Sequence, residues 1–283
     1  MSLVEFINFS FKYSNSNFWS LKNVNLKIEE GEFVLITGQS GCGKTTLLRS
    51  INGLIPHYHQ GDYEGKVLLD GKEVSKHEVY ELAKIAGIVF QNPEDQIFAM
   101  TVEKEIAFGL ENLGYERSYM RKTIDEVMKL MRIEHLRYKQ PFFLSGGEQQ
   151  KVVISAILAL KPKLLLLDEP LSSLDPLSAK SLVEELARLN KEYKKTIVIA
   201  EHRLDLLSKY ADRIIIMEKG EIILDKRIED VICKIDLESL GINEPLFAKF
   251  VRILENKYKI NLGTCLSIDE LISKFNYEKN NRI

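Results

Sequence analysis

The sequence predicts an α/β fold in which a parallel sheet is covered by helices on both faces. Short, continuously apolar runs at 164–167, 196–200 and 213–217 alternate with helical segments, as expected for strands buried on both faces. A further apolar run at 32–36 leads through a glycine-rich turn into a helical pattern. A helical insertion interrupts this order in the middle of the chain.

The first elements resemble a half-buried sheet. Apolar residues occupy every second position along one predicted strand, at Val24, Leu26 and Ile28, which places them on one face. The apolar stretch at 67–69 is followed by Asp70-Gly71. Because this dipeptide tolerates the positive φ angles of a tight turn, we expect a hairpin there.

Helical spacing marks the segments that follow. The glycine-rich turn is followed by apolar residues at Leu47, Leu48, Ile51 and Leu54. From 101 to about 131 helical periodicity dominates, with Ser118 available as an N-cap. Asp175 and Pro176 begin another helix, since Asp caps helices and Pro fits the first helical position.

Strand signals end at about residue 226, and we expect three parts of the chain. The main domain spans 1–225 and contains a helical subdomain at about 92–160. A small C-terminal extension spans 226–283.

Composition excludes several classes of protein. The 283 residues carry 39 Lys and Arg against 41 Asp and Glu, a net charge of −2, so the basic surface typical of a nucleic-acid binder is absent. The longest uncharged apolar run, 152–160, is far shorter than the ~20 residues of a membrane-spanning helix. The first residues lack a secretory pattern, so we expect a cytosolic protein. Three scattered cysteines predict neither a disulfide scaffold nor a cysteine-based zinc site.

One motif predicts phosphate binding. Residues 38–45 fit the pattern G-x-x-x-x-G-K-[ST], between a strand and a helix. Backbone N–H groups of such a loop point at phosphate oxygens, Lys44 would reach the β- and γ-phosphates, and Thr45 would ligate Mg²⁺. The predicted nucleotide-binding residues of the loop are Gly38, Gln39, Ser40, Gly41, Cys42, Gly43, Lys44, Thr45 and Thr46.

A second motif supplies carboxylates. The run at 164–167 ends in Asp168-Glu169, where Asp168 can hold the Mg²⁺ complex and Glu169 can orient or deprotonate the attacking water. A third motif begins a helix with a Ser-Gly-Gly turn, a potential anion cradle. It comprises Leu144, Ser145, Gly146, Gly147 and Glu148.

The chain resembles the ATPase subunit of ABC transporters over roughly residues 3–224. The resemblance rests on the order of its motifs, which are the phosphate loop, the signature at 144–148, Asp168-Glu169-Pro170, Ser173-Leu174-Asp175 and His202. The resemblance implies an ABC-type P-loop NTPase core of α/β class, with an antiparallel β subdomain, a helical insertion and a small C-terminal extension. It also implies that two ATPases close head to tail around ATP, so that the Ser-Gly-Gly-Glu signature and Asp175 serve the partner's nucleotide.

The resemblance assigns three more residues. Gln91 is similar to the glutamine that senses Mg²⁺ and the coupling interface, and His202 is similar to the histidine that contacts the γ-phosphate. The His202 segment reads Ala-Glu-His-Arg, where the family more commonly has Thr-His-Asp. Tyr13 resembles the aromatic residue that stacks on adenine, although Phe11 or Phe18 could supply that ring.

A narrower resemblance follows Gln91. The sequence Asn-Pro-Glu-Asp-Gln at 92–96 is similar to the ATPases of energy-coupling-factor (ECF) importers of vitamins or of transition-metal ions such as cobalt and nickel. Their usual pattern has Asp-Asn where this chain has Glu94-Asp95. In those proteins this segment receives coupling helices from a membrane partner, and Ile97, Phe98 and Met100 suit such a pocket. Alternatively, these three residues fill the core.

The resemblance therefore implies an ATP- and Mg²⁺-dependent motor of a membrane importer, bound peripherally at the cytoplasmic face of the cell membrane. Its partners would be a second ABC ATPase, identical or related, a transmembrane coupling protein and a substrate-capture membrane subunit, but no nucleic acid. The C-terminal extension would contribute to dimerisation. The alternatives are the ATPase of a binding-protein-dependent importer and a soluble ABC ATPase of DNA repair or translation.

Two other features of the sequence are candidates for a metal site and for a reactive thiol. His57 and His59 with Asp62 resemble a metal cluster, but a His-x-His in a loop without supporting residues around it does not predict a metal site, and the resembling family carries its substrate in another subunit. Cys42 precedes a helix N-terminus and lies near Lys44, so we expect its thiolate to be favoured.

Overall fold

In the computed structural model, which describes residues 2–281 and the side chains of residues 2–277, strands and helices form two sheets with helices packed around them. The strands are β1 (Ser2–Tyr13), β2 (Leu21–Glu29), β3 (Phe33–Gly38), β4 (Gly61–Leu69), β5 (Lys72–Glu73), β6 (Ala86–Val89), β7 (Leu164–Asp168), β8 (Thr196–Ala200), β9 (Arg213–Glu218) and β10 (Glu221–Arg227). The helices are α1 (Lys44–Ile51), α2 (Leu54–His57), α3 (Val79–Leu82), α4 (Val102–Asn112), α5 (Arg117–Leu130), α6 (Gly146–Ala159), α7 (Pro176–Tyr193), α8 (Leu204–Leu207), α9 (Leu246–Tyr258) and α10 (Ile268–Asn281).

The larger sheet has the order β10-β9-β3-β8-β7-β6. Neighbours from β9 to β6 are parallel, and β10 pairs antiparallel with β9. Side chains alternate along β3: Phe33 and Leu35 enter the core that holds α4 to α7, whereas Val34 and Ile36 enter the core beneath the smaller sheet. The predicted sheet buried on both faces is thus confirmed, with one antiparallel edge strand added.

The smaller sheet, β2-β1-β4-β5, is antiparallel. On β2, Val24, Leu26 and Ile28 are buried between exposed neighbours, as the alternation predicts. Asp70 (φ +51°) and Gly71 (φ +76°) make the tight turn of the predicted hairpin.

Two helix predictions are wrong in detail. The helix after the glycine-rich loop ends at Ile51, because Gly53 (φ +84°) breaks it, and Leu54 begins a separate short helix. Ser118 caps no helix; it lies inside α5, and Thr101 is the residue that caps α4 by accepting from the Lys104 N–H. Helix α7 begins at Pro176 with Asp175 as its cap, as predicted.

The extension after β10 packs on the same core as the large sheet through Val231, Leu237, Phe247 and Val251. It contains α9 and α10, and the domain boundary at residue 226 stays a prediction. None of the helices within residues 2–281 is both long and apolar enough to cross a bilayer.

Candidate active site

The phosphate-binding loop connects β3 to α1 through glycines in left-handed conformations. Gly41 has φ +78° and Gly43, which precedes α1, has φ +111°. A Cβ at Gly43 would lie 2.6 Å from the Ser20 carbonyl oxygen, so only glycine fits there. The Lys44 ammonium is buried and donates to the carbonyl oxygens of Gly38 (3.0 Å) and Gln39 (3.3 Å). The loop therefore curls around the lysine that the motif requires.

Three further residues that the sequence predicts for the site lie in a cluster next to the Lys44 ammonium. Its Nζ lies 3.2 Å from His202 Nε2 and 3.9 Å from Glu169 Oε1. His202 Nε2 is 3.3 Å from the same carboxylate oxygen, and Gln91 Nε2 donates to Glu169 Oε2 at 3.2 Å. Glu169 is thus the centre of a polar cluster that joins an ammonium, an imidazole and an amide.

The strand order explains why these distant residues converge. Lys44, His202, Glu169 and Gln91 follow β3, β8, β7 and β6, which are consecutive parallel neighbours. The carboxyl ends of parallel strands meet at one edge, where α/β sheets bind ligands. The sequence order of the motifs is therefore unrelated to their spatial order.

Thr45 and Asp168 form a pair of oxygen donors beside this cluster. Thr45 Oγ1 donates to Asp168 Oδ1 at 3.0 Å. Burial raises the pKa of the Asp168 carboxyl despite that hydrogen bond, so a cation here would compensate for the lost hydration of the carboxylate. Hydroxyl and carboxylate oxygens suit Mg²⁺, and the predicted pair fits this ion.

Glu169 has an uncommon backbone conformation. Its φ angle is +48°, a region that costs energy for residues other than glycine and is often found at functional sites. Its N–H donates to the Ala200 carbonyl (2.9 Å), and its carbonyl accepts from Ser172 (3.2 Å). Contacts with the neighbouring strand end thus hold the conformation that directs this carboxylate into the site.

The structure reduces the choice of adenine-stacking ring. Phe11 is fully buried and is excluded. Tyr13 is partly buried, and its hydroxyl lies 3.2 Å from Thr46 Oγ1 on the helix that follows the phosphate loop. Phe18 is 80% exposed, so Tyr13 and Phe18 remain as candidates.

The side chain of Gln96 holds the segment after Gln91 in a turn through three hydrogen bonds to the backbone. The Gln96 side chain accepts from the Phe90 N–H (3.1 Å) and donates to the carbonyls of Phe90 (3.2 Å) and Asn92 (3.3 Å). These contacts account for the Asn-Pro-x-x-Gln spacing, because the glutamine at its end closes the turn that carries Gln91.

The apolar residues of this segment divide between core and surface. Ile97 is buried, whereas Phe98 is 69% and Met100 65% exposed. Phe98 stacks on Phe108 with ring centroids 6.0 Å apart, and buried Glu105 accepts from the Phe98 and Ala99 N–H groups. The core interpretation holds for Ile97, and the surface interpretation holds for the other two.

The signature residues begin α6 with a reciprocal cap. The Glu148 N–H donates to Ser145 Oγ (3.4 Å), and the Ser145 N–H donates to Glu148 Oε2 (2.9 Å). That backbone hydrogen bond is the main cause that lowers the pKa of the Glu148 carboxyl. A Cβ at Gly147 would lie 2.8 Å from Ser178 Cβ on α7, so α6 and α7 approach closely here. Leu144 is partly buried, and Gly146 follows Ser145 as the first residue of α6.

Asp175 lies beside this signature. Its carboxylate accepts from the N–H groups of Leu177 and Ser178. Hydrogen bonding to the Ser178 side chain, together with these backbone contacts, lowers the pKa of the Asp175 carboxyl. A cavity of about 240 Å³ is lined by signature and α7 side chains and by no residue of the phosphate loop.

Two weaker expectations change. The predicted Cys42 thiolate is wrong: the side chain is buried, and burial raises the pKa of the thiol despite the nearby Lys44. His57 Nε2 lies 3.1 Å from the Val74 carbonyl oxygen, and the His59 ring packs against Tyr13. His57 is the last residue of α2 and His59 follows it, and among residues with described side chains no group of three or more metal-ligating side chains comes together.

One buried acid was missed by sequence reasoning. Glu201 is 2% exposed and contacts both the loop after Glu169 and the loop of His202. The sequence signal that could have revealed it is the segment Ala-Glu-His-Arg, which has Glu201 where the family more commonly has threonine.

Fold and site together define a P-loop ATPase. Residues 21–172 match the family model described as ABC transporter. Proteins named as ABC transporter ATP-binding proteins from Pyrococcus abyssi and Pyrococcus horikoshii are 43% and 45% identical over 97% and 96% of this chain, and over 98% and 96% of their own lengths. The chain belongs to the ABC transporter family as an ATP-binding subunit, which hydrolyses ATP to drive transport.

Solved structures give the same family. The structure of cbiO1 from Clostridium perfringens, described as part of the ABC transporter complex cbiONQ, has a TM-score of 0.77 with 29% identity, over 91% of this chain and 96% of that one. The dimeric MJ0796 cassette bound to ADP and Pi has a TM-score of 0.69 with 31% identity, over 80% of this chain and 98% of that one.

Proposed function

We propose that the chain is the ATPase of an ECF-type importer for a vitamin or a transition-metal ion such as cobalt or nickel, bound peripherally at the cytoplasmic face of the membrane. The observation that carries this proposal is the loop after Gln91, which Gln96 closes and which exposes Phe98 and Met100. The likeness to cbiO1, a component of a transporter complex, supports it.

The proposed chemistry assigns each group of the cluster. The phosphate loop and Lys44 bind the triphosphate, while Tyr13 or Phe18 stacks on adenine. Thr45, Asp168 and Gln91 would hold Mg²⁺, which when bound neutralises phosphate charge. Glu169 accepts a proton from the attacking water, because its carboxylate is the acceptor that the surrounding donors direct into the site.

His202 is proposed to contact the γ-phosphate. Its Nε2 lies 3.2 Å from Lys44 Nζ, so the imidazole already faces the group that binds the terminal phosphates. An imidazole N–H at this position can donate to a phosphate oxygen while Glu169 remains free to accept the water proton.

We further propose that two ATPases complete each nucleotide site. Ser145, Gly147 and Glu148 of the signature line a surface cavity separate from the phosphate loop, and Asp175 accepts from the N–H of Leu177, which also lines it, as expected if these residues serve a partner's ATP. The extension supports dimerisation through two exposed apolar stripes at helical spacing. They consist of Leu246, Phe250 and Ile253 on α9, and Ile268, Ile272 and Phe275 on α10.

The membrane partner is proposed to dock at the surface formed by Phe98, Met100 and Phe108, which we name the coupling patch. All three side chains are more than 45% exposed. Because the same loop carries Gln91, whose amide contacts Glu169, movement of a docked helix would reach the hydrolysis site through one short segment.

The test is capture of membrane subunits. Tagged wild-type chain, co-expressed with the membrane proteins encoded beside it and purified in detergent, should retain a transmembrane coupling protein and a small substrate-capture protein. Phe98→Asp should lose both, since a buried carboxylate opposes docking, whereas Tyr193→Asp, at an exposed site on α7, should retain them.

Recovery of a periplasmic-type binding-protein system would favour a binding-protein-dependent importer. Absence of any membrane subunit from the wild-type chain would favour a soluble ABC ATPase. The identity of the captured subunit, rather than this chain, would identify the cargo.

A further inference from the structure

Glu201 joins the two loops that carry Glu169 and His202. Its Oε1 accepts from the Leu171 N–H at 3.0 Å. Its Oε2 accepts from the His202 N–H at 2.7 Å and from the Arg203 N–H at 3.2 Å. One buried side chain therefore satisfies three backbone donors, two from one loop and one from the other.

These contacts extend an existing backbone connection between the same loops. The Glu169 N–H donates to the Ala200 carbonyl at 2.9 Å, and the Glu201 N–H donates to the Ile36 carbonyl on β3, also at 2.9 Å. Glu201 is thus fixed to the strand that leads into the phosphate loop, and its carboxylate reaches back to the residue two positions after Glu169. Hydrogen bonds at Glu169 itself and at Leu171, two residues later, therefore stabilise the backbone conformation in which Glu169 has a positive φ angle.

The type of residue matters for this bridge. A carboxylate has two acceptor oxygens and no donor, so both oxygens can accept from N–H groups at once. Threonine, which the family more commonly has before the histidine, carries one oxygen close to the backbone and cannot accept from both loops. In the part of the chain with described side chains, no lysine or arginine lies within ion-pair distance of Glu201, so the three N–H groups are its polar partners.

We propose that Glu201 is a positioning residue that sets the distance between Glu169 and His202 during ATP hydrolysis. This inference rests on the proposed roles of those two residues. Loss of the bridge leaves nucleotide binding intact, because Lys44 and the phosphate loop do not contact Glu201. It allows the Glu169 carboxylate and the His202 imidazole to shift relative to each other, and small misplacements of reacting groups slow catalysis strongly.

The central experiment compares Glu201→Gln with the wild-type full-length chain in steady-state ATP hydrolysis. The amide keeps the side-chain shape, but its NH₂ group faces an N–H donor on one of the two loops. We expect kcat to fall about 10- to 100-fold, while KM and the dissociation constant for ATP stay within about threefold. Glu201→Thr, whose rotatable hydroxyl can still accept from one loop but is too short to reach both, should lower kcat in the same way.

Two comparisons separate positioning from a general loss of stability. Glu185→Gln alters another buried glutamate on α7, which pairs with Arg188 of the same helix and with Arg132 beyond the end of α5. This variant should lower Tm without changing kcat. In a His202→Ala background, Glu201→Gln should have less than a third of its effect on log kcat, because a positioning role requires its target. A structural role would act equally in both backgrounds.

The inference is overturned if Glu201→Gln and Glu201→Thr retain wild-type kcat, if kcat falls only in proportion to ATP affinity, or if the effect is undiminished with His202→Ala. Glu169→Gln, assayed in parallel, tests the underlying assignment. Normal hydrolysis by that variant would refute the proposed role of Glu169, whereas an inactive Glu169→Gln beside a fully active Glu201→Gln would refute only the role of Glu201.

Discussion

Replacing Glu169 by glutamine tests the proposed hydrolysis mechanism most directly. The glutamine side chain fits the same space and can keep the hydrogen bond from Gln91, but it cannot accept a proton from water. General bases contribute about 10²- to 10⁴-fold to rates, so kcat should fall by that factor, which corresponds to about 3–5 kcal/mol in the barrier.

The affinity of the Glu169→Gln variant for ATP should stay the same or increase. Glu169 Oε1 lies 3.9 Å from Lys44 Nζ, and unit charges at this distance interact by about 4 kcal/mol at an effective dielectric constant near 20. Partial exposure of Glu169 screens this attraction to a fraction of that value. Without the carboxylate, Lys44 is free for the phosphates, and we expect ATP to bind equally well or up to about tenfold more tightly.

The assay measures phosphate release and ATP binding on the same preparations, with light scattering to follow association. Glu169→Gln should bind ATP and form a lasting ATP-dependent dimer, whereas Glu192→Gln, at an exposed position on α7, should behave as the wild type. Hydrolysis by Glu169→Gln within tenfold of wild type would refute the reasoning, as would loss of ATP binding.

Lys44→Ala should weaken ATP binding roughly 10- to 100-fold, because hydrogen bonds to charged groups contribute about 1.5–3 kcal/mol; isothermal titration would detect this, and an unchanged affinity would contradict it. Burial raises the pKa of the Cys42 thiol, so at neutral pH the thiol is protonated and alkylation should be slow, accelerating only as the pH rises past the usual thiol range. Mass spectrometry would locate the adduct, and rapid alkylation at neutral pH that ATP prevents would contradict this. Ser145→Ala removes half of the reciprocal cap with Glu148 and should cost about 1 kcal/mol, lowering Tm by roughly 2–4 °C; no change in thermal unfolding would show that the cap is not stabilising.

Strands were easier to predict from the sequence than helix ends. Continuous apolar runs such as 164–167 can be buried on both faces only in a covered sheet, and the structure has them as neighbours. Helix ends depend on side-chain geometry that residue type leaves open. Ser118 and Thr101 are both suitable caps by type, but Thr101 precedes the first turn and accepts from the Lys104 N–H, whereas Ser118 lies within α5.

In the candidate site, too, features that depend on local sequence were predicted correctly and features that depend on tertiary packing were not. Motif spacing placed Lys44 in the phosphate loop, because loop geometry is local and depends on nearby glycines. The thiol pKa of Cys42 was predicted in the wrong direction, since a local argument from Lys44 and the helix N-terminus does not include burial, which is decided by tertiary packing. Glu201 was missed for a related reason: its partner Leu171 is 30 residues away in sequence.

The arrangement of the site also supports the proposal that two chains complete each nucleotide site. Gln91, Glu169 and His202 converge on Lys44 at the carboxyl ends of four neighbouring strands. The signature, in contrast, begins α6 at a surface cavity that no phosphate-loop residue lines. The Ser145 and Glu148 cap uses their side chains to stabilise the helix end, which leaves the remaining N–H groups of the first turn directed outward. A helix start of this kind can accept phosphate oxygens brought by a second subunit, so ATP would be required to complete the contact between two chains.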